Sequence, residues 1–268
     1  MRFLVRLSIL LSIFTSALYA ATNQLTLLDP VQEQVIHGSR VVLQYGVFNN
    51  SAVSQRLTAK INTLVPGDRV GFYTKDKVIS PKIFEQFKID RSKVRVSPRR
   101  ISVAPKKIRP FKVAVDLKKA VPGTYFGNLL IKQLPIKSNV VPDKKDEKDK
   151  DLAVKLNILF DQYTAFYLNK GKGSPFEPAE GQTPVKIECS VDKENKNLTL
   201  HVYNDTSYAL RASARSSELS DKAYRIVTVL PYTEATRDIA VPMTDKLKTP
   251  FKLEFLLKNK EVSSVMCK

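Results

Sequence analysis

The residues able to do covalent chemistry are few, and their spacing argues against catalysis. His37 and His201 are the only histidines, and neither has a cysteine or a second histidine beside it to begin a metal site. The chain has nine glycines and no Gly-rich run of the kind that cradles a phosphate. Ser190-Val-Asp-Lys193 matches the S-x-x-K of penicillin-interacting enzymes, but that serine has to open a helix. Here it follows Cys189 in strand-like sequence, with no K-T-G or S-D-N partner, and we read the match as chance. Asn49-Asn-Ser51, Asn197-Leu-Thr199 and Asn204-Asp-Thr206 fit the N-glycosylation acceptor, which matters only in a eukaryotic secretory pathway. The expectation is a protein that binds rather than catalyses and that needs no cofactor.

Two patterns could do the binding. Leu152, Val154, Leu156, Ile158 and Phe160 alternate with Ala153, Lys155, Asn157 and Leu159, which puts the five on one face of a strand. Strand character continues through Tyr163, Phe166, Tyr167 and Leu168, so this strand is expected to exceed the usual ~5–6 residues. Either the five side chains line the chain's own core, or they wait for a partner that adds to the sheet edge; the pattern permits both. The second pattern is a crowd of cations: Arg91, Lys93, Arg95, Arg99, Arg100, Lys106, Lys107 and Arg109. With a formal net charge of +18, such a face draws anionic surfaces, lipid headgroups or acidic proteins, and it also keeps a chain soluble.

The elements that must position these residues read as strands. Arg91 to Val96, Phe111 to Leu117 and Asn197 to Val202 alternate apolar with polar, and Pro66-Gly67-Asp68, Pro122-Gly123 and Asn204-Asp205 punctuate the runs. Short alternating strands at this spacing point to an all-β fold of sandwiches. Asp143 to Asp151 is almost wholly charged, with both signs mixed, and is expected to be a solvated loop without regular structure. Asn169 to Pro175 reads as an interdomain linker, giving domains at 21–170 and 182–268.

Residues 1–20 have the order of a secretory signal: Arg2 and Arg6, an apolar run from Leu7 to Leu18, then a small residue at Ala20. The run is shorter than the ~20 residues that span a bilayer, and no later stretch is long enough either. The expectation is export, with the mature chain free in the periplasm or outside the cell and nucleic acid a poor candidate partner. Export also favours pairing of the only two cysteines, Cys189 and Cys267, as a disulfide between the first and last strands of the second domain. A loop of that size is worth on the order of 4 kcal/mol in the chain-entropy account.

Several of these segments in order resemble the first domain of periplasmic pilus chaperones of the chaperone-usher class. They are Val96-Ser-Pro98-Arg-Arg-Ile101-Ser-Val103-Ala-Pro105, then Phe111-Lys-Val113, then Gly123-Thr-Tyr125-Phe-Gly-Asn128-Leu-Leu-Ile131 followed by Lys132-Gln-Leu134-Pro135. The charged loop, the long alternating strand and Phe166-Tyr167 follow in the same order, so the likeness spans about residues 25–170. Val202-Tyr-Asn204 and Val229-Leu-Pro231 extend it loosely into the second domain. The resemblance implies two immunoglobulin-like domains in tandem. It implies a strand, Leu152 to Phe160, lent to an incomplete pilin-like subunit, with an outer-membrane usher as a further partner. It also implies a basic pair that anchors the subunit's terminal carboxylate, but the matching positions hold Glu33 and Thr164, and the usual Pro-Gly is Pro105-Lys106. A structural or anionic-surface-binding component of an envelope apparatus built from the same sandwiches is the alternative.

Overall fold

The computed structural model describes residues 25–62, 76–135, 161–192, 197–218, 225–240, 249–257 and 260–268. The expected signal, the charged run 143–151 and the alternating stretch from Leu152 to Phe160 lie outside them.

Alternation builds the first sandwich. One sheet runs β1 (Leu25–Leu28), β3 (Arg40–Asn49), β8 (Ile108–Asp116), β6 (Val94–Ser97), antiparallel throughout. The facing sheet runs β2 (Val31–Ile36), β10 (Asp161–Lys170), β9 (Gly123–Leu134), β4 (Gln55–Asn62), β7 (Arg100–Val103). Only the β2–β10 pair in it is parallel. β1 and β2 are two halves of one extended run that changes sheets at Asp29-Pro30, where Asp29 has φ 53° and a proline costs no ladder bond. Inward positions two apart on β3 and β8 are Leu43, Tyr45, Val47, Phe111, Val113 and Val115, all buried. Tyr45 and Phe111 stand opposite in register and stack with ring centroids 5.4 Å apart. Each such side chain contributes about 1.5–3 kcal/mol on burial. Phe166 lies flat against Gly127, where a Cβ would stand 2.3 Å from the ring, so the glycine makes room for the aromatic.

The stretch from Arg91 to Val96 is not one strand. Asp90 accepts hydrogen bonds from the Ser92 and Lys93 amides at 2.7 and 3.3 Å, which folds Arg91–Lys93 into a 3-10 turn and delays the strand to Val94.

The second unit uses β11 (Lys186–Asp192), β12 (Asn197–Asn204), β13 (Leu210–Arg215), β14 (Arg225–Val229), β15 (Thr233–Ala240), β16 (Phe251–Leu257) and β17 (Lys260–Cys267). Their order is β14-β13-β16-β17-β11-β12-β15, and the β17–β11 link is a single parallel pair, Cys189 opposite Cys267. The two cysteines are joined as a disulfide with Cα atoms 4.5 Å apart. Leu198, Leu200, Leu210, Val229, Phe251 and Phe255 from both halves fill one core, separate from that of the first unit. Both units are immunoglobulin-like sandwiches of packed, mainly antiparallel sheets.

Residues 76–89 tie the units together. β5 (Lys77–Val78) belongs to the first half of the chain, yet it pairs with β15. Helix α1 (Pro81–Phe87), started by a proline at its first turn, then sets Phe84 against Phe126 at 5.2 Å and Phe87 between Tyr125 and Tyr232, at 5.3 and 5.9 Å.

Candidate functional site: a half-open strand edge and the adjoining contact between units

β10 is bonded along its whole length to β9, from Asp161 opposite Lys132 to Lys170 opposite Gly123. On its other side β2 joins only from Ala165 onward, because the first strand has just changed sheets. Asp161 to Thr164 therefore have a strand on one side only among the described residues. Gln162 Nε2 there donates to the Leu25 carbonyl at 3.0 Å. An ion pair of 3.0 Å between Lys132 and Asp161 holds the tip, with both side chains half exposed. The residue before Asp161 is Phe160, the last of the five alternating apolar positions. Those five lie outside the described residues, but the strand they lead into begins at this open edge.

Behind the edge the core is unfinished in its polar accounting. Thr164 points inward and is buried, and its hydroxyl, the Tyr45 hydroxyl and the Gln162 Oε1 make no hydrogen bond among the described residues. The Tyr45 hydroxyl approaches Thr164 without closing a bond of good geometry. Burial pushes the Tyr45 phenol well above its ordinary range, and the nearness of Thr164 offsets this in part. Unpaired buried polar groups cost about 1–3 kcal/mol each.

The outer face of the same strands packs against the second unit. Arg211 of β13 lays its guanidinium over the buried Tyr167 ring, 4.2 Å from the centroid. Its Nε donates to the Glu33 carboxylate at 3.0 Å and its Nη1 to the Thr228 hydroxyl at 3.2 Å. Glu33 accepts a further bond from Asn169 at 3.0 Å; Asn169 accepts from the Thr124 hydroxyl at 2.6 Å; that hydroxyl accepts from the Ala209 amide at 2.9 Å. The chain of bonds runs from β2 through β10 and β9 into the second unit.

The two positions where a basic pair was looked for do not come together. Glu33 faces the second unit and Thr164 faces the core. The cation that meets Glu33 is Arg211, which sequence reasoning missed. Its one sequence signal is its place in the alternation Leu210-Arg-Ala-Ser-Ala214, which says outward and nothing about what it meets. Of the basic crowd, Lys106 is held by the Asn50 carbonyl and side chain at 2.6 and 2.7 Å. Arg91 and Lys93 sit on the 3-10 turn, Arg95 on β6, Arg100 on β7 and Arg109 on β8. Ser190 lies mid-strand and exposed, its hydroxyl 3.5 Å from the Thr199 carbonyl, so it opens no helix. His201 is exposed beside the Thr236 hydroxyl at 3.2 Å. No helix among the described residues is long and apolar enough to cross a membrane.

No family model and no curated protein sequence matches the chain. Among solved structures, it is similar to the periplasmic chaperone SfaE, at 14% identity and a TM-score of 0.44 over 91% of this chain and 98% of that one. It is similar to the Escherichia coli chaperone DraB, at 11% identity and 0.45 over 91% and 97%. It is also similar to a chain of the Salmonella enterica complex of the SafA pilin with the SafB chaperone, at 12% identity and 0.45 over 90% and 94%.

Proposed function

We propose that this chain is a periplasmic chaperone that caps incomplete pilin-like subunits by lending them a β-strand, the stretch from Leu152 to Phe160. The observation that carries the reading is the half-open edge of β10. Among the described residues its first four positions have one strand neighbour where its last six have two, and in sequence the alternating segment directly precedes that open half. Backbone groups on such an edge pair with an incoming strand, and Leu152, Val154, Leu156, Ile158 and Phe160 fill alternate sites of the partner's groove. The sequence likeness to pilus chaperones over residues 25–170 supports the same reading. In this reading the domains are 21–170 and 182–268, residues 1–20 direct export, and an outer-membrane usher receives the loaded complex. The work is holding and handing over a strand, with no bond made or broken in the client and no cofactor.

The test is co-expression with pilin-like subunits from the same genome, each short of its final strand, followed by size-exclusion chromatography. The wild type holds a subunit in a one-to-one complex. Leu156→Asp loses it while melting where the wild type melts, because a groove cannot solvate the new charge. If Leu156→Asp and Ile158→Lys unfold the first sandwich, those side chains belong to the chain's own core and strand lending is wrong. A folded variant that still captures every subunit is equally fatal.

A further inference from the structure

A second surface of the first sandwich stands independent of the strand edge. The 3-10 turn at Arg91–Lys93 is flanked by two open grooves. One, about 240 Å³, lies between β4 and β6 with Ile61, Val94 and Val96 beneath Lys60, Arg91 and Arg99. The other, about 490 Å³, lies along the β8–β9 connection, where Leu117, Val121 and Tyr125 stand beside Lys93, Lys118 and Lys119. Two neighbouring carboxylates among the described residues are engaged. Asp90 accepts from the Ser92 amide and hydroxyl and the Lys93 amide. Asp116 accepts from the Lys118 amide at 3.1 Å. The side chains of Lys60, Arg91, Arg99, Lys118 and Lys119 have no hydrogen bond or ion pair among the described residues.

We propose that this face docks on an anionic lipid bilayer, with phosphate headgroups between the cations and the exposed Val121 against the lipid's glycerol and upper acyl region. Arginine and lysine take phosphate oxygens readily. Charge alone would fit any polyanion, but a polysaccharide or nucleic acid would leave the exposed Val121 and the half-buried Val94 wet. Val121 stands half exposed among the lysines, the mixture of apolar and basic side chains that sits at a membrane interface. An acidic protein would have to present matching carboxylates on both sides of the dividing turn. A fluid bilayer delivers headgroups to each groove separately.

Sedimentation with vesicles tests this on the full mature chain. Phosphatidylcholine vesicles should leave the protein in solution, and vesicles with phosphatidylglycerol as one lipid in three should carry it down at low salt and release it at high salt. Arg91→Gln with Arg99→Gln should weaken partition by about tenfold or more, each basic side chain at an anionic surface contributing about fivefold. Val121→Ser should weaken it further without changing charge. The charge-matched control Lys186→Gln with Lys260→Gln, on the second sandwich, should bind like the parent, and all variants should melt with the parent. No binding to phosphatidylglycerol vesicles overturns the proposal. So does equal weakening by the control, which would mean net charge alone. So does displacement by inorganic phosphate beyond that by chloride at equal ionic strength, which would mean a free-anion pocket. Subunit capture uses other residues, so either proposal can fail while the other stands.

Discussion

Single side chains here are held by very different forces, and their removal separates them. Tyr45 is wholly buried with its ring stacked on Phe111, but its hydroxyl is unpaired among the described residues. Tyr45→Phe keeps the stack and removes a desolvated hydroxyl, so the melting temperature should hold or rise. A fall of several degrees would show that the hydroxyl has a partner in solution. Asp76 and Arg237 are the opposite case. The carboxylate takes both guanidinium nitrogens, at 2.6 and 2.5 Å, and only 4% of the Asp76 side chain and 11% of that of Arg237 is exposed. Arg237 also donates to the Thr228 carbonyl at 2.9 Å. Removing one partner of a buried pair strands the other charge, at about 3–5 kcal/mol. Asp76→Ala should therefore lower the melting temperature by many degrees. Lys77→Ala, which removes a pair with Glu234 on the open surface, should leave it unchanged. Equal effects would contradict the burial of the first pair.

Elements show which parts of the fold were legible in the sequence. The alternations at Phe111 to Leu117 and Asn197 to Val202 are strands β8 and β12, because a half-buried strand writes its period directly into residue type. Only two cysteines could pair, and they do, on the first and last strands of the second unit. Three features left no such mark. β5 is two residues long and is a strand only because β15 lies beside it. The Asp90 cap overrode the alternation after Arg91 through one local side-chain bond. Arg211 meets Tyr167 across more than forty residues of sequence, and no local pattern encodes such a contact. The disulfide also makes a prediction at this scale. β11 and β17 meet through one register pair and two backbone bonds, Val191 to the Lys268 carbonyl at 2.9 Å and Lys268 to the Cys189 carbonyl at 3.3 Å, so the covalent bond reinforces a short closure of the sheet. Cys189→Ser with Cys267→Ser should cost about 2–5 kcal/mol. Amide exchange should quicken in β11 and β17 and stay slow in β3 and β8. Uniform acceleration across both sandwiches would show that the loss is not confined to that closure.

The whole molecule is two cores joined by a seam rather than by a tether. Leu230 and Tyr232 lie in the second half of the sequence but pack in the first core. Ile79 donates to the Tyr232 carbonyl at 2.9 Å, and Thr124 donates from its amide to the Ser207 carbonyl at 2.8 Å. Gly123, with φ 149°, lets the backbones meet: a Cβ there would stand 2.3 Å from Phe87 and 2.5 Å from the Ser207 oxygen. Phe87 is the centre of this seam, 2% exposed between one ring from each unit. Replacing a buried phenylalanine by alanine costs about 3–5 kcal/mol, and at this position the loss falls on the coupling between units as well as on either core. The wild type should therefore unfold in one calorimetric transition whose van't Hoff and calorimetric enthalpies agree. Phe87→Ala combined with Arg237→Met should split it into two, the later one vanishing under reducing conditions if it belongs to the disulfide-closed sandwich. The Arg211 contact is a second readout. Arg211 reaches Glu33 and Tyr167 only while the seam holds the units in place, so uncoupling should release Arg211. Arg211→Ala should then cost stability in the wild type and almost nothing in the uncoupled variant. Two transitions already present in the wild type would refute the seam, as would a cost for Arg211→Ala that is the same in both backgrounds.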